Sequence, residues 1–460
     1  MTCFSKWIVL SFVSAGACLA AEKKPNILFI AIDDLRPELG AYGAKHIHSP
    51  NIDRFAKSGL LFSKAYTSVA TCGASRASLF SGVRPTPERF LTHYSSAEKE
   101  VPWAVTMNTR FKKSGYRTLS LGKIFHLTTD NAAGWSEKPW RPKAPKHALP
   151  ANRSGERGNS TEISEVADDA YQDGEIANEA VSRLGELANE PDQPFFLAVG
   201  FMKPHLPFAA PKKYWDLYPE ETIGLPDNYR LPEKAPAAAT RFNWGELRNY
   251  SDIPRKGKIT ETKATHLIRG YYACVSYVDT QIGKVLDELD RLGLAENTIV
   301  VLWGDHGWNL GDHTFWCKHT VFESSLHIPL IVRVPGLPQG KKTNVLTESV
   351  DIYPTLCELA AVPAPDTLEG RSFADILKKP ETTRSDTAYS RFGRGDSIRS
   401  PRFRYSEYRG KDGKLTGRML YDHQNDPLEN ENLIDIEKYS DQIKTLSNQL
   451  KKVKASTRKN

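Results

Sequence analysis

Cysteine and methionine are scarce in this chain. Its 460 residues include 6 cysteines and 4 methionines. Two of the cysteines precede residue 22, and the others are Cys72, Cys274, Cys317 and Cys357. Their spacing is not that of a metal-binding cysteine motif. Cys274 and Cys357 lie in apolar, helix-like runs, where a buried free thiol is the usual state; a disulfide is the alternative if the chain is exported.

Concentrated charge is also missing. The chain has 62 Lys and Arg against 55 Asp and Glu, a formal net charge of +7, without a dominant basic block. The charge therefore gives no reason to expect nucleic acid as a partner, and at most favours a polyanionic substrate. We interpret the basic tail at residues 451–454 as a solvated helix end. Internal repeats and low-complexity segments are absent as well.

The N-terminal apolar segment is too short for a transmembrane helix. Residues 1–21 combine a lysine, an apolar stretch and a small-residue-rich end, which is the pattern of a secretory signal peptide. Cys18 makes a lipid-anchored N-terminus an alternative, although the usual leucine three residues before it is missing. We therefore expect an exported protein, periplasmic or secreted, without a stable membrane span.

Short apolar runs predict a parallel β-sheet. They occupy residues 26–32, 195–199, 298–303 and 329–334. Continuous apolar strands are typical of a sheet that is buried on both faces. Helical patterns lie between these runs, and hydrophobic residues make up 40% of the chain, enough for a substantial core. The sequence therefore predicts an α/β fold with a mostly parallel central sheet.

The pattern changes after about residue 382. Short segments there read as antiparallel strands, followed by a closing helix over about 437–453. We expect three parts: a signal peptide at 1–21, a main domain at 22–382 and a small C-terminal subdomain at 383–460. Two polar stretches, at about 128–164 and 219–263, are predicted to be long surface loops.

Acidic residues follow two of the predicted strands. Asp33 and Asp34 come directly after the first apolar run, and Asp305 and His306 come after the third. Because the carboxyl ends of parallel strands meet at one edge of a sheet, we expect these groups to converge. Three carboxylates would repel one another unless a cation neutralised them, and oxygen ligands suit Ca²⁺ or Mg²⁺. The alternative is that one aspartate only caps a helix.

A cysteine string at residues 71–85 is the most specific motif of the chain. It reads Thr-Cys-Gly-Ala-Ser-Arg-Ala-Ser-Leu-Phe-Ser-Gly-Val-Arg-Pro. Cys72 stands before a helix-like run, where backbone N–H groups and the helix dipole would face a bound anion. Arg76 lies one turn further on. The alternatives are a buried thiol or a half-cystine for Cys72 and a surface ion pair for Arg76.

Basic side chains complete the candidate site. Lys123 and His126 follow a predicted strand, His205 stands in a proline-bounded loop, and Lys318 follows a loop at 311–313. Ammonium groups are what the oxygens of a tetrahedral anion need as charge builds up on them. For each histidine alone, the alternative is a structural hydrogen bond.

Together these strings resemble the formylglycine-dependent sulfatases, whose motif is Cys-x-(Pro/Ala)-x-Arg. Further similar strings occur in the family's order at residues 24–28, 122–126, 203–208 and 304–308. The resemblance is closest to the iduronate-2-sulfatase branch and extends over nearly all of the chain after residue 21. It implies an alkaline-phosphatase-like fold, in which helices flank the central sheet and a smaller antiparallel sheet follows at the C-terminus.

The resemblance also implies a modified cysteine and a metal ion. Cys72 would be converted to formylglycine (3-oxoalanine) by a maturation enzyme, and Ala74 stands where proline is commoner, which leaves open which enzyme acts. The ligands of one Ca²⁺ per chain would be Asp33, Asp34, Cys72, Asp305 and His306. His306 occupies a position where many relatives have asparagine.

The catalytic roles are likewise those that the resemblance implies. Lys123 and Lys318 would bind the sulfate, and His126 would serve the aldehyde hydrate. His205 would contact the sulfate or protonate the leaving oxygen, and Arg76 would hold the modified side chain and the metal ligands. One hydroxyl of the hydrate would attack sulfur, and the other would then expel sulfate.

The expected reaction is hydrolysis of a sulfate monoester on a sulfated saccharide, and the branch favours a 2-O-sulfated uronic acid. The uronate carboxylate would need further cations, for which Arg391 and Arg399 are candidates. Choline sulfate is an alternative, with Trp308 and Trp316 as aromatic faces for the quaternary ammonium. Two more alternatives are a phosphate or phosphonate ester hydrolase of the same superfold and a non-catalytic protein that binds sulfated glycans.

Overall fold

The computed structural model describes residues 23–153, 157–241, 244–384 and 387–457. The predicted signal peptide at 1–21 and Cys18 lie outside these residues. Within them, none of the helices has the length and apolarity needed to cross a membrane. The four cysteines of the described chain are all buried and free, so the prediction of buried thiols is confirmed for Cys274 and Cys357.

Strands and helices alternate through the first two thirds of the chain. The strands are β1 Asn26–Ile32, β2 Leu60–Tyr66, β3 Arg117–Gly122, β4 Thr161–Ser164, β5 Phe195–Phe201, β6 Phe208–Pro211, β7 Thr298–Gly304, β8 Asn309–Leu310, β9 Trp316–Cys317, β10 His327–Arg333, β11 Lys341–Thr343, β12 Thr347–Glu348, β13 Ala388–Phe392, β14 Gly395–Arg399, β15 Phe403–Arg409 and β16 Leu415–Asp422. The helices are α1 Pro50–Lys57, α2 Cys72–Ser81, α3 Ala97–Glu100, α4 Met107–Lys113, α5 Gln172–Ala188, α6 Lys212–Trp215, α7 Ala237–Thr240, α8 Glu261–Arg291, α9 Glu323–Leu326, α10 Ile352–Leu359, α11 Ala374–Lys378 and α12 Ser440–Ser456.

The central sheet has eight strands and confirms the predicted α/β fold. Its order is β11-β2-β10-β7-β1-β5-β3, with β12 beside β2. Neighbouring strands are parallel except where β10 pairs with β2 and β7. All seven residues of each of β1, β5 and β7 are buried, which explains their continuous apolar runs.

Helices cover both faces of this sheet. The long α8 and α5 pack on one face, where Ile268, Leu286 and Leu184 join the buried side chains of β1 and β5. Phe80 of α2 and Phe111 of α4 pack on the other face, against Phe29 and Phe196. The sheet is therefore sandwiched between two apolar layers.

A second sheet of four antiparallel strands, β13-β14-β15-β16, follows the main sheet in the chain. Leu446 and Leu450 of α12 are fully buried against it, beside Ile398 and Tyr405. The small sheet contacts the main domain directly, because Arg391 N–H donates to Ser68 O at 2.8 Å. The predicted antiparallel sheet and closing helix are confirmed, whereas the division of the chain at residue 382 stays a prediction.

Candidate active site

Five strands of the central sheet bring the predicted residues to one edge. Ile32, the last residue of β1, pairs with Phe201 of β5 and Gly304 of β7, so these strands end side by side. The residues that follow the five strands are Asp33 and Asp34 after β1, Cys72 after β2, Lys123 after β3, His205 after β5 and Asp305 after β7. The structure thus brings together groups that are far apart in the sequence.

Three buried aspartates lie at this edge of the central sheet. Asp33, Asp34 and Asp305 have no exposed surface. The N–H of Asp34, whose φ is 63°, donates to Asp305 Oδ1 at 3.0 Å. Burial raises the pKa of Asp34. Burial acts in the same direction on Asp33, but the cations Lys123 and His205 outweigh it and hold the pKa of Asp33 well below its usual value.

Cys72 is the first residue of α2 and faces the aspartates. Its Sγ lies 3.3 Å from His306 Nε2 and 4.0 Å from Asp34 Oδ1. Burial, together with the nearby charge of Asp33, raises the pKa of the Cys72 thiol. Gly73 allows this close packing, because a Cβ atom there would lie 2.0 Å from the backbone oxygen of His93. The second motif position must therefore be glycine in this chain.

Arg76, one helical turn after Cys72, contacts residues that follow three different strands, β1, β3 and β7. It is fully buried, and its Nε donates to Asp305 Oδ2 at 2.9 Å. Its two terminal nitrogens donate to Asp33 Oδ1 at 3.2 Å, to Ile124 O at 3.1 Å and to Lys123 O. The guanidinium therefore orients both carboxylates.

Two lysines form ion pairs with the aspartates. Lys123 Nζ forms a buried ion pair with Asp33, and Lys318 Nζ lies 3.2 Å from Asp34 Oδ1. His126, near Lys123, is neutral at physiological pH, because burial and the charge of Lys123 lower its pKa to about 3. Its buried Nδ1 has no hydrogen-bond partner among the described residues. Unlike the lysines, it offers a free nitrogen to whatever occupies the site.

Glu246 also belongs to the site, although the sequence did not predict it. It lies in the predicted surface loop before α8, and its carboxylate is 2.9 Å from His205 Nε2 and 2.7 Å from Lys318 Nζ. Burial opposes a charge on His205, but Asp34 and Glu246 raise its pKa to about 10. A lone glutamate in a polar loop has no periodicity or motif that could have revealed this role.

Four of the predicted ligands form a cluster compact enough to hold a metal ion. One ligand atom each from Asp33, Asp34, Cys72 and His306 lie within 4.8 Å of one another. Asp305 is adjacent, with Oδ1 at 3.6 Å from His306 Nε2, but its two oxygens already accept hydrogen bonds from Asp34 and Arg76.

A cavity of about 660 Å³ opens above this cluster. The predicted residues on its wall are Cys72, Lys123, His126, His205 and Lys318. The wall also carries Lys203, from the string at 203–208, and residues that the sequence did not single out for the site, namely His93, Tyr94, Arg141, Lys146, Arg157 and Glu246. Most of them belong to the long polar stretches between strands, which are therefore walls of the site.

The residues proposed for other substrate groups lie elsewhere. Arg391 pairs with Asp396 at 2.5 Å, and Arg399 lies 3.4 Å from Glu323; neither is on the cavity wall. Trp308 and Trp316 are buried to 1% exposure and do not line the cavity either. The prediction that these four side chains contact substrate is therefore not supported by the geometry.

The chain resembles known sulfatases in sequence and structure. The family model described as Sulfatase matches residues 25–362, and the one described as N-sulphoglucosamine sulphohydrolase, C-terminal, matches residues 311–456. The chain is 34% identical over 415 residues to iduronate 2-sulfatase of Mus musculus, an alignment that covers 78% of this chain and 75% of that protein.

Two solved structures have the same fold. One is described as a 2-O GAG sulfatase; it has a TM-score of 0.74, 25% identity, and coverage of 94% of this chain and 92% of its own. The other is a phosphonate monoester hydrolase of Agrobacterium radiobacter, with a TM-score of 0.79, 23% identity, and coverage of 95% and 96%. The family match extends over well more than half of the chain, so the protein belongs to the sulfatase family and is a sulfuric ester hydrolase.

Proposed function

We propose that the protein hydrolyses the sulfate ester of a 2-O-sulfated uronic acid in a saccharide. The observation that carries this proposal is the convergence of Lys123, Lys318 and His205 on one cavity beside Cys72. Three cationic groups around a helix N-terminus match the charge of a sulfate ester. The family supports the sulfate chemistry, and the choice of sugar rests on the cavity wall and on the resemblance to iduronate 2-sulfatase.

The donor set fits a divalent cation. Asp33 and Asp34 supply carboxylate oxygens and His306 an imidazole, all within reach of one point beside Cys72. Oxygen donors favour Ca²⁺, which the family resemblance also implies. A cation there would neutralise the two aspartates and so release Lys123 and Lys318 from their present ion pairs for binding to sulfate. Residue 72 as a formylglycine hydrate would supply the attacking hydroxyl, and the cation would lower the pKa of that hydroxyl.

Individual side chains of the protein bind the sulfate, transfer protons and position other residues. Lys123 and Lys318 bind the sulfate oxygens and stabilise the charge that develops on them. His205, positively charged beside Glu246, donates a proton to the leaving alcohol oxygen. His126, neutral and with a free Nδ1, accepts a hydrogen bond or a proton from the group at residue 72. Arg76 acts as a positioning residue for Asp33 and Asp305.

Further cations on the cavity wall favour a substrate with a second anionic group. Arg141, Lys146 and Arg157 line the cavity beyond the two sulfate-binding lysines. The Nε of Arg141 is buried and has no partner among the described residues, so the charge of this guanidinium is only partly satisfied by the protein. A uronate carboxylate next to the sulfate would use these groups. Choline sulfate fits this wall poorly, because its quaternary ammonium would meet these cations, which outnumber the single acidic lining residue Glu246 among the described residues.

Two experiments test this proposal. Mass spectrometry of the peptide that contains Cys72, from protein made with a maturation enzyme, should show formylglycine, and full turnover by a verified thiol form would contradict that assignment. Assays that compare 2-O-sulfated uronate oligosaccharides, 6-O-sulfated hexosamines, choline sulfate and a phosphonate ester test the substrate. A preference of about a hundredfold in kcat/KM for any of the last three would overturn the uronate assignment.

We also propose that the chain is exported by the signal at residues 1–21 and matured by an enzyme acting on Cys72. The free, buried state of Cys72 in the folded protein favours modification before folding, since a thiol at 2% exposure is out of reach of another enzyme. N-terminal sequencing of the protein from the medium or periplasm, with residue 22 as the expected start, tests the export.

A further inference from the structure

A second cavity adjoins the first. Its volume is about 770 Å³, and Gly245 and His319 line both cavities. Its remaining wall comes from α7, from the segment after Lys318 and from the two hairpins of the small sheet, with the lining residues Arg241, Phe392, Arg394, Tyr408, Arg409 and Thr416 among them. The second cavity thus lies between the main domain and the C-terminal sheet, next to the catalytic cavity.

The charged side chains on this wall are all basic. Arg394, at the turn between β13 and β14, is exposed and has no ion pair or side-chain hydrogen bond among the described residues. Arg409, at the end of β15, is held in place by Glu407 at 2.6 Å and by Gly413 O at 3.1 Å. No aspartate or glutamate appears among the lining residues that the structure describes. The cavity is therefore suited to an anionic ligand.

We infer that this second cavity binds an anionic group of the saccharide unit next to the one whose sulfate ester is cleaved. The inference rests on the proposed function, because it assumes that a sulfated saccharide occupies the first cavity. A chain that extends from there across Gly245 and His319 would bring its next sulfate or carboxylate toward Arg394 and Arg409. The protein would then favour oligosaccharides over isolated sulfated monosaccharides.

The test compares substrates that differ in length. The wild-type enzyme, Arg394→Ala, Arg394→Glu and Arg409→Ala are assayed on an aryl sulfate, which fills only the first cavity, and on a tetrasaccharide with a terminal 2-O-sulfated uronate. We expect Arg394→Ala to lower kcat/KM on the tetrasaccharide by about tenfold and Arg394→Glu by more, since a charged contact is lost or reversed. Values for the aryl sulfate should stay within about twofold.

Controls separate this effect from other causes. Arg418→Ala removes an exposed arginine of β16 that does not line the cavity, and it should leave both substrates unaffected. An N-sulfate is the only anionic group on the second unit of this tetrasaccharide, and replacing it by an N-acetyl group should abolish the effect of Arg394→Ala. The inference would be overturned by equal losses of kcat/KM on the aryl sulfate and on the tetrasaccharide. It would also be overturned if Arg394→Glu caused no loss of kcat/KM on the tetrasaccharide.

Failure of the proposed function would be recognised separately. If the wild-type enzyme cleaves none of the sulfate esters, calorimetry with Cys72→Ser protein and the same tetrasaccharide still decides whether the second cavity binds it. An affinity that falls at least about tenfold with Arg394→Glu supports the second site. An affinity that is unchanged by this substitution, or an absence of binding, contradicts it.

Discussion

At the scale of single residues, the site is a set of charges that neutralise one another. Asp33 and Asp34 are fully buried, and Lys123, Lys318 and Arg76 supply the compensating cations. Buried charges persist in proteins only when they are paired in this way or bound to a metal. A sulfate ester and a divalent cation would enter as one more pair of opposite charges.

We expect the negative charge of Glu246 to oppose the binding of a sulfate. Its carboxylate is 2.7 Å from Lys318, which we propose as a ligand of the sulfate. Glu246→Gln should therefore bind inorganic sulfate about tenfold more tightly as a competitive inhibitor, because one negative charge is removed from the cavity. Inhibition constants measured at fixed pH and ionic strength test this. Glu261→Gln, an exposed residue at the start of α8, is the control.

An inhibition constant for sulfate that rises in Glu246→Gln, or one that stays the same, would contradict this role. Glu246 would then act only as a support for His205, whose Nε2 lies 2.9 Å away. In that case kcat should fall while sulfate binding is unaffected.

At the scale of secondary-structure elements, the N-terminus of α2 depends on a glycine. A Cβ atom at Gly73 would meet the backbone of His93, which also lines the first cavity, above the cluster of predicted metal ligands. Gly73→Ala should displace one of these two segments, lower kcat by at least about tenfold and cost about 1–3 kcal/mol of stability. Kinetics together with urea unfolding measure both effects.

Gly185→Ala is the matched control for this change. Gly185 lies inside α5, and a Cβ atom there meets nothing within 4 Å. Alanine should therefore stabilise the protein by about 0.5–1 kcal/mol, because it reduces the conformational freedom of the unfolded chain. If Gly73→Ala behaved like this control, the close approach to His93 would not matter.

A buried aspartate of α8 holds the start of α1. Asp279 accepts hydrogen bonds from the backbone N–H groups of Ile52, at 2.7 Å, and Asn51, at 3.1 Å. Burial nevertheless raises the pKa of Asp279 from 3.8 to about 6. The folded protein therefore holds this proton more tightly than the unfolded chain does. The associated stability is fully present below about pH 3.8 and is lost as the pH rises through about 6.

The destabilisation caused by Asp279→Asn should therefore depend on pH. The free energy of unfolding of the wild type, minus that of the variant, should shrink by about 2–3 kcal/mol between pH 4 and pH 7. Urea unfolding at several pH values measures this difference. Asp287→Asn, which removes an exposed carboxylate of the same helix, is the matched control. A flat difference for Asp279→Asn would mean that Asp279 does not titrate in this range.

The elements themselves were largely predictable from the sequence. The apolar runs matched β1, β5, β7 and β10, because strands buried on both faces need continuous apolar residues. The acidic pairs also converged at one edge, as the strand-end rule predicts. The start of α8 at Glu261 was not predicted, because its first turn is polar and its beginning is set by the Thr260 side chain, which accepts from Lys263 N–H at 3.2 Å.

At the scale of the whole molecule, the walls of the catalytic cavity could not be predicted. Arg141, Lys146, Arg157 and Glu246 come from long polar stretches whose path depends on many weak contacts, and none has a local pattern that marks it. The same holds for the interface between the two sheets. Its side chains come from segments that are far apart in the chain, so only the folded structure reveals that they are neighbours.

A buried ionic network joins the small sheet to the main domain. Arg404 of β15 is 1% exposed; it contacts Glu323 at the start of α9 and lies 2.8 Å from Glu429. Tyr66, the last residue of β2, donates to Glu323 at 2.8 Å and so connects the central sheet to the network. His423 lies 3.0 Å from Glu429. The two sheets are therefore connected through shared carboxylates.

Removing Arg404 should weaken this connection more than any exposed ion pair could. Arg404→Ala leaves Glu429 buried without its arginine partner, and we expect a loss of about 3–5 kcal/mol in the free energy of unfolding, because an uncompensated buried charge is costly. Arg54→Ala, which breaks the exposed pair with Asp287, is the control and should cost about 0–1 kcal/mol. The double variant Arg404→Met with Glu429→Gln should recover part of the loss, since it removes the buried charge together with its partner. If Arg404→Ala cost no more than Arg54→Ala, the ionic network would not hold the two sheets together, and apolar contacts would have to do so.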